Sequence, residues 1–182
     1  EEAAAVPLGG LNALHFMRLA AVQPGESVLV NGAGGVIGAH GVQIAKMMGA
    51  EVTAVDHGDK KPLLDSIGAD HFHDYSADHF ADGGGAWDVI FDMVPGTDYA
   101  RCIDALRTGG RYLSGNPRLS VMLRSALTTR FTDKTARFRF AAETLGGLND
   151  LSDMIDAGHI LPIVDRVLPM SEAALVHRLV ET

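Results

Sequence analysis

The chain has 182 residues, 47% of them hydrophobic and 21% charged, with 21 glycines and 7 prolines, a composition that excludes disorder and collagen-like repeats. One domain with a substantial core fits that length, burying roughly 70% of its unfolded surface, and a second complete domain does not. A formal net charge of −8 gives a field that repels nucleic acid and anionic membrane, so neither is an expected partner and any phosphate-bearing ligand must be held by local geometry.

The N-terminus, Glu1-Glu2-Ala3-Ala4-Ala5, has no Met and no basic region ahead of an apolar run, so it reads as neither a signal peptide nor a native start, and the chain is expected to be an internal piece of a longer one. Leu11, Leu14, Met17, Leu19 and Val22 recur at helical spacing, and Gln23-Pro24-Gly25 turns the chain. Ser27 to Asn31 is a buried strand, and the glycine cluster Gly32 to Gly38 leads into a helix that ends at Met48 before Gly49. A second unit repeats the pattern: strand from Glu51 to Val55, helix from Asp59 to Ile67 with Pro62 in its first turn, and Gly68 as the stop. His71 to Tyr75 is a third strand and Asp88 to Met93 a fourth. Tyr99 to Arg107 is a helix closed by Gly109-Gly110, followed by a fifth strand from Arg111 to Ser114 and a sixth from Ala136 to Ala142. Strands alternating with helices through short loops predict a doubly wound α/β domain, a parallel sheet of about six strands with helices on both faces.

The last forty residues break this rhythm. Leu148 to Ala157 reads as helix, Ile160 to Leu168 as an extended segment that would pair with strands outside this chain, and Ser171 to Val180 as a helix with Ser171 as its N-cap.

The glycine cluster carries the chemistry. Gly32, Gly35 and Gly38 are spaced G-x-x-G-x-x-G, with Ala33, Gly34, Val36 and Ile37 between them. Where a buried strand turns into a helix, small residues let a pyrophosphate approach the backbone, and the helix N-terminus offers free N–H groups and the positive end of its dipole. Asp56, 18 residues after Gly38, stands at the end of the second strand, where a carboxylate accepts hydrogen bonds from adenosine ribose hydroxyls and favours NAD. Lys60 and Lys61 follow, either as ammonium partners of a 2′-phosphate or as solvated first-turn lysines.

Other glycine-loop folds fail on their own requirements. Class I methyltransferases place an acid where Asn31 stands, and a P-loop needs Gly-Lys-Ser/Thr where Gly38-Ala39-His40 stands. Short-chain dehydrogenases need Tyr-x-x-x-Lys, yet the residues four after Tyr75, Tyr99 and Tyr112 are His79, Ile103 and Asn116.

These residues resemble the cofactor domain of the medium-chain dehydrogenase/reductase superfamily, in its quinone oxidoreductase-like branch. The resemblance is carried by Leu8-Gly9-Gly10-Leu11-Asn12-Ala13-Leu14, Gly32 to Gly38 with Val42-Gln43-Ile44-Ala45-Lys46, Ser66-Ile67-Gly68-Ala69-Asp70-His71, Asp88-Val89-Ile90-Phe91-Asp92 and Gly109-Gly110-Arg111-Tyr112. It implies an NAD(P)-binding Rossmann domain of an oxidoreductase that passes hydride between nicotinamide and a carbonyl, quinone or conjugated alkene. It divides the chain into a lead-in helix (1–24), a Rossmann core (25–145) and a segment (146–182) returning to a GroES-like catalytic domain that precedes this one. The fragment alone is then expected to bind cofactor without turnover.

Lys60, eight residues before Gly68, and Tyr75, seven after it, match the Lys and Tyr that hold the 2′-phosphate of NADPH in quinone oxidoreductases. Asp56 departs from the NADPH pattern, so NADP is favoured over NAD only slightly. The resemblance places Met93, Val94, Ser114 and Asn116 beside the nicotinamide, and a two-fold edge pairing of the sixth strand would give a homodimer acting on a small-molecule substrate.

Ala3 to Gly10 lacks Cys, His, Asp and Glu, so no zinc is expected in this segment. A zinc-dependent alcohol dehydrogenase remains the first alternative, and a non-catalytic nucleotide-sensing or RNA-binding module the second. Cys102, the single cysteine, excludes an internal disulfide and fits a reducing, cytoplasmic setting; it reads as core rather than nucleophile. His71, His73, Asp74 and His79 read as a polar strand end rather than a metal site. Arg118, Arg124, Arg130, Lys134, Arg137 and Arg139 place six basic residues in 22 positions and read as a solvated helix face or subunit contact, without the interleaved aromatics of a nucleic-acid platform.

Overall fold

The computed structural model describes residues 2–77, 79–82, 85–115, 118–138 and 144–181. Helices α1 (Glu2–Ala5) and α2 (Pro7–Ala20) lead into β1 (Ser27–Asn31), α3 (Val36–Met47) and β2 (Glu51–Asp56). A short 3-10 turn at Gly58–Lys60 then precedes α4 (Lys61–Ser66) and β3 (His71–Asp74). The second half runs β4 (Trp87–Asp92), α5 (Tyr99–Ala105), β5 (Leu106–Ser114), α6 (Leu119–Phe131), β6 (Thr135–Phe138), α7 (Leu145–Asp156) and α8 (Ala173–Glu181).

The six strands form one sheet in the order β3-β2-β1-β4-β5-β6, and every pairing is parallel. This is the doubly wound order of a Rossmann fold, whose strand sequence reverses direction between β1 and β4 and opens a crevice there. Side chains alternate between two cores. Val28, Val30, Val52, Ala54, Val89, Phe91 and Leu113 pack with α2 and α3, and Leu29, Val55, Ile90, Tyr112 and Ala136 pack with Tyr99, Cys102 and Ala105 of α5. Burial on both faces explains why these strands read as continuous apolar runs.

Helix α2 is clamped onto α3 where side chains are missing. A Cβ on Gly9 would lie 2.5 Å from Val36 Cγ1 and 2.6 Å from the Val36 carbonyl oxygen, so only glycine permits this approach.

Two expectations change in detail. The helix from Tyr99 ends at Ala105 instead of Arg107, and β5 begins at Leu106, because Trp87 pairs with Leu106 and Gly109, at φ +75°, absorbs the register shift. Ser171 is not an N-cap: it lies inside a 3-10 turn over Met170–Glu172, and α8 starts at Ala173. The stretch after Ile160 pairs with no strand among the described residues; Gln43 of α3 holds it, its Oε1 accepting from Leu161 N–H at 2.7 Å and its Nε2 donating to the Leu161 carbonyl at 3.3 Å. The sixth strand is described over 135–138, and its expected continuation to 142 lies outside the described residues.

Candidate functional site

The C-terminal ends of β1, β2 and β4 converge on the glycine loop. Gly32 takes φ +79°, a conformation that favours glycine, and the N–H groups of Gly32 and Ala33 donate to the Val55 carbonyl at 3.0 and 3.1 Å. Gly38 is where the loop meets its own helix, since a Cβ there would stand 2.1 Å from the Gly32 carbonyl oxygen and 2.7 Å from Ala33 Cα. Gly35 caps α3 with no side-chain hydrogen bond. The first N–H groups of a 12-residue helix therefore point out of an uncapped terminus at which Gly35 and Val36 are exposed, the arrangement that binds a pyrophosphate.

Asp56 and Lys60 meet at Gly34. A Cβ on Gly34 would lie 2.9 Å from Lys60 Cγ and 3.1 Å from Asp56 Oδ2. Gly34 N–H donates to Asp56 Oδ2 at 2.7 Å, and His57 N–H to Oδ1 at 2.8 Å. The carboxylate is thus tied to the loop it serves. Lys61 turns away to Asp65, with Nζ 2.7 Å from Oδ2, whereas Lys60 forms no ion pair among the described residues. Tyr75 is exposed, its N–H donates to the Asp56 carbonyl at 3.3 Å, and its ring centroid lies 6.0 Å from that of His57.

A cleft of about 620 Å³ runs from Asp56 and Tyr75 past His79 and Phe80 to the loop after β4, Val94 to Thr97, with Asn31 and Gly32 at its floor. Its dimensions and its apolar walls around a polar floor suit an adenosine. His79 and Phe80 stack at 4.8 Å between centroids; the sequence reading missed Phe80, Pro95, Gly96 and Thr97, and took His79 only as part of a polar strand end. A glycine loop signals phosphates, whereas walls from two distant loops leave no local pattern.

The loop after β4 also touches the glycine loop, since Val94 Cγ2 would be 3.0 Å and Met93 Cβ 3.7 Å from a Cβ on Gly32, while Met93 Cε reaches the end of β5, 2.5 Å from a Cβ on Gly115. Met93 and Val94 are therefore brought to the site. Ser114 stands at the end of β5 but is buried and lines a neighbouring pocket of about 190 Å³ with Asp92, Tyr99, Tyr112 and Arg118, on the other side of the shared Val94, Gly96 and Thr97. Asn116 lies outside the described residues.

Asp92 holds this region together. Its buried carboxylate accepts from Asn31 Nδ2 at 2.9 Å, Thr97 Oγ1 at 3.0 Å, Val94 N–H at 3.1 Å and Tyr112 OH at 2.6 Å. Four donors compensate the cost of burying a charge. Burial, reinforced by the Asp92 charge, pushes the Tyr112 phenol well above its ordinary range, so it stays a donor. Burial, with the charges of Asp92 and Asp98 adding to it, also pushes the Cys102 thiol up to about 12, which removes it as a nucleophile at neutral pH.

Among the described residues no group of three or more His, Cys, Asp or Glu is placed to hold a metal ion. No chemical step is assigned to a metal held by these residues.

The family model described as zinc-binding dehydrogenase matches residues 67–182. Among curated proteins, 2-methylene-furan-3-one reductase of Solanum lycopersicum is 32% identical over 173 residues, covering 93% of this chain and 40% of that protein. The quinone oxidoreductase of Coxiella burnetii superposes with a TM-score of 0.87 at 24% identity, over 98% of this chain and 56% of that one. The CurK enoyl reductase does so with a TM-score of 0.85 at 25% identity, over all of this chain and 59% of that one. The chain thus spans about half the length, or less, of the relatives it matches. With the sheet order, the glycine loop and the matched family model in agreement, the chain belongs to the zinc-binding dehydrogenase family of the medium-chain dehydrogenase/reductase superfamily.

Proposed function

We propose that the chain is the cofactor-binding domain of an NAD(P)-dependent, zinc-independent reductase of the quinone oxidoreductase-like type, with NADPH slightly preferred. One observation carries this reading: the uncapped N-terminus of α3 stands behind a loop whose Gly34 is flanked by Asp56 and Lys60. The pyrophosphate would lie on the free N–H groups at the start of α3, those of Val36 and Ile37, since Gly34 and Gly35 N–H already donate to Asp56 and to the Gly32 carbonyl, and the adenosine in the cleft between Tyr75, Phe80 and Pro95. Lys60 and Tyr75 would hold the 2′-phosphate. When bound, the nicotinamide supplies the hydride; this chain's residues would orient it, Met93 and Val94 from the loop after β4, with Ser114 and Asn116 assigned there by the family resemblance. The small-molecule acceptor would be a carbonyl, quinone or conjugated alkene, and residues 146–182 would return to a catalytic domain supplying most of its contacts. Exposed Phe138 on the edge strand β6 supports a homodimer by edge pairing, and a single buried Cys102 suits a cytoplasmic protein.

Asp56 favours the second reading, an NAD-linked alcohol dehydrogenase, because a carboxylate at the ribose repels a 2′-phosphate. Calorimetric titration with NADPH and NADH decides between them. Lys60→Ala is expected to weaken NADPH about tenfold while sparing NADH, and Asp56→Ala to tighten NADPH. NADH preference that disappears with Asp56→Ala supports the second reading, and no binding of either dinucleotide refutes both.

A further inference from the structure

His79 lines the cleft beside the glycine loop with its hydrogen-bonding edge already fixed. Ala81 N–H donates to its Nδ1 at 3.2 Å. A ring nitrogen that accepts carries no proton of its own, so this bond assigns the neutral imidazole to the Nε2–H tautomer. Nδ1 faces the residue's own backbone, and Nε2 lies on the edge of the ring turned away from it. His79 is half-buried, yet Nε2 has no partner among the described residues. An unsatisfied donor at a largely apolar cavity is a group that a ligand can pair.

The ring is also held in place. It stacks on Phe80 with the planes 29° apart, and Phe80 packs against the second core and meets the His73 ring of β3 edge-on at 6.5 Å. Asp82 N–H donates to the His79 carbonyl at 2.8 Å and closes the turn that carries it. A donor fixed in this way loses little freedom when a ligand accepts from it. Its place in the cleft says which ligand atom that would be. A purine whose ribose lies at Asp56 and Tyr75 points its far edge, N1 and the substituent on C6, along the cleft toward His79 and the loop after β4. The other donors among the lining side chains are committed elsewhere: Asn31 and Thr97 donate to Asp92, and Tyr75 stands at the ribose end beside Asp56. Adenine N1 is an acceptor and matches Nε2–H. In hypoxanthine or guanine N1 carries a hydrogen, so two donors would meet and both would stay unpaired.

We propose that His79 reads the base of the dinucleotide, donating Nε2–H to adenine N1 and so selecting adenine over 6-oxopurines. This rests on the cofactor reading above and extends it from the phosphates to the base. To test it, the full chain is titrated calorimetrically with NADPH, with NADH and with the hypoxanthine analogue of each, in which an oxygen replaces the 6-amino group and N1 carries a hydrogen. The adenine forms are expected to bind about tenfold more tightly than the hypoxanthine forms. His79→Phe keeps a ring to stack on Phe80 but has no donor, so in this variant the ratio is expected to fall to about one, with the adenine forms weakened and the hypoxanthine forms unchanged. The proposal is overturned if wild type binds both forms equally, or if the folded variant keeps the adenine preference. It is equally overturned if His79→Phe weakens both forms alike, which makes His79 a support of the cleft wall and not a reader of the base. Should the variant not fold, the nitrogen resonance of wild-type His79 Nε2 decides: it is expected to move with NADPH and not with the hypoxanthine analogue, and a resonance that responds to both or to neither overturns the proposal. Failure of all four dinucleotides to bind refutes the cofactor reading and this inference with it, whereas binding without discrimination removes this inference alone.

Discussion

Single residues set the glycine loop, and Gly38 is the tightest of them. Its place against the Gly32 carbonyl leaves no room for a methyl group, so Gly38→Ala is expected to cost about 1–3 kcal/mol of stability by denaturant unfolding and to abolish dinucleotide binding by moving the loop off α3. Asp92 is the second such residue. Asp92→Asn keeps the shape but replaces two acceptor oxygens by one and sets an NH₂ against existing donors, a loss of about 2–3 kcal/mol, accompanied by weaker cofactor binding because Val94 and Thr97 lose their anchor. Cys102, buried and with its thiol pushed up to about 12, is expected to stay unreactive toward a thiol reagent at pH 8 until the protein unfolds; rapid native-state labelling would contradict its burial. At this scale the sequence was informative about which residues gather at the loop, since Gly32, Gly34, Gly35, Gly38, Asp56 and Lys60 do come together. It was silent about Asp92, because an acid at the end of a strand reads the same whether it faces solvent or four donors.

Elements are joined by a few polar ties. Asp70 links α3 to the sheet: Lys46 Nζ lies 2.7 Å from both its oxygens, and Val52 N–H donates to Oδ2 at 2.7 Å. Burial raises its pKa, but the hydrogen bonds from Lys46 and Val52 outweigh it and hold the carboxyl below its ordinary 3.8. A depressed folded-state pKa stabilises above the unfolded value and is lost as pH falls through the folded one. Asp70→Asn is therefore expected to lower stability at pH 7 by about 1 kcal/mol, the size of a partly exposed pair, and the gap between variant and wild type to close as the pH drops below 3.8. Strand and helix positions were legible because buried parallel strands are short apolar runs bounded by Gly, Pro and Asp. The end of α5 was not, because Gly109 closes a bulged strand instead of a helix. The basic stretch around α6 was legible as a helix face, but not that its leucines point outward, because periodicity does not encode which side the sheet covers.

For the molecule as a whole, ligand binding is coupled to stability. A dinucleotide that binds only the folded state at a hundred times its Kd adds about 2.7 kcal/mol, which for a domain of this size raises Tm by about 5–10 °C; a thermal scan with saturating NADPH measures it. What the sequence determined by itself was the order of elements, the parallel α/β class and the glycine loop between β1 and α3, because hydrophobic periodicity and glycine spacing are local properties of the chain. Only the tertiary structure decided which loops wall the cleft beside the glycine loop, that Lys60 rather than Lys61 faces it, that Asp92 gathers four donors, and that α6 turns its leucines outward. Each of these depends on side chains distant in sequence meeting across the sheet's C-terminal edge, or on which face of a helix the neighbouring strands leave uncovered, and local pattern encodes neither.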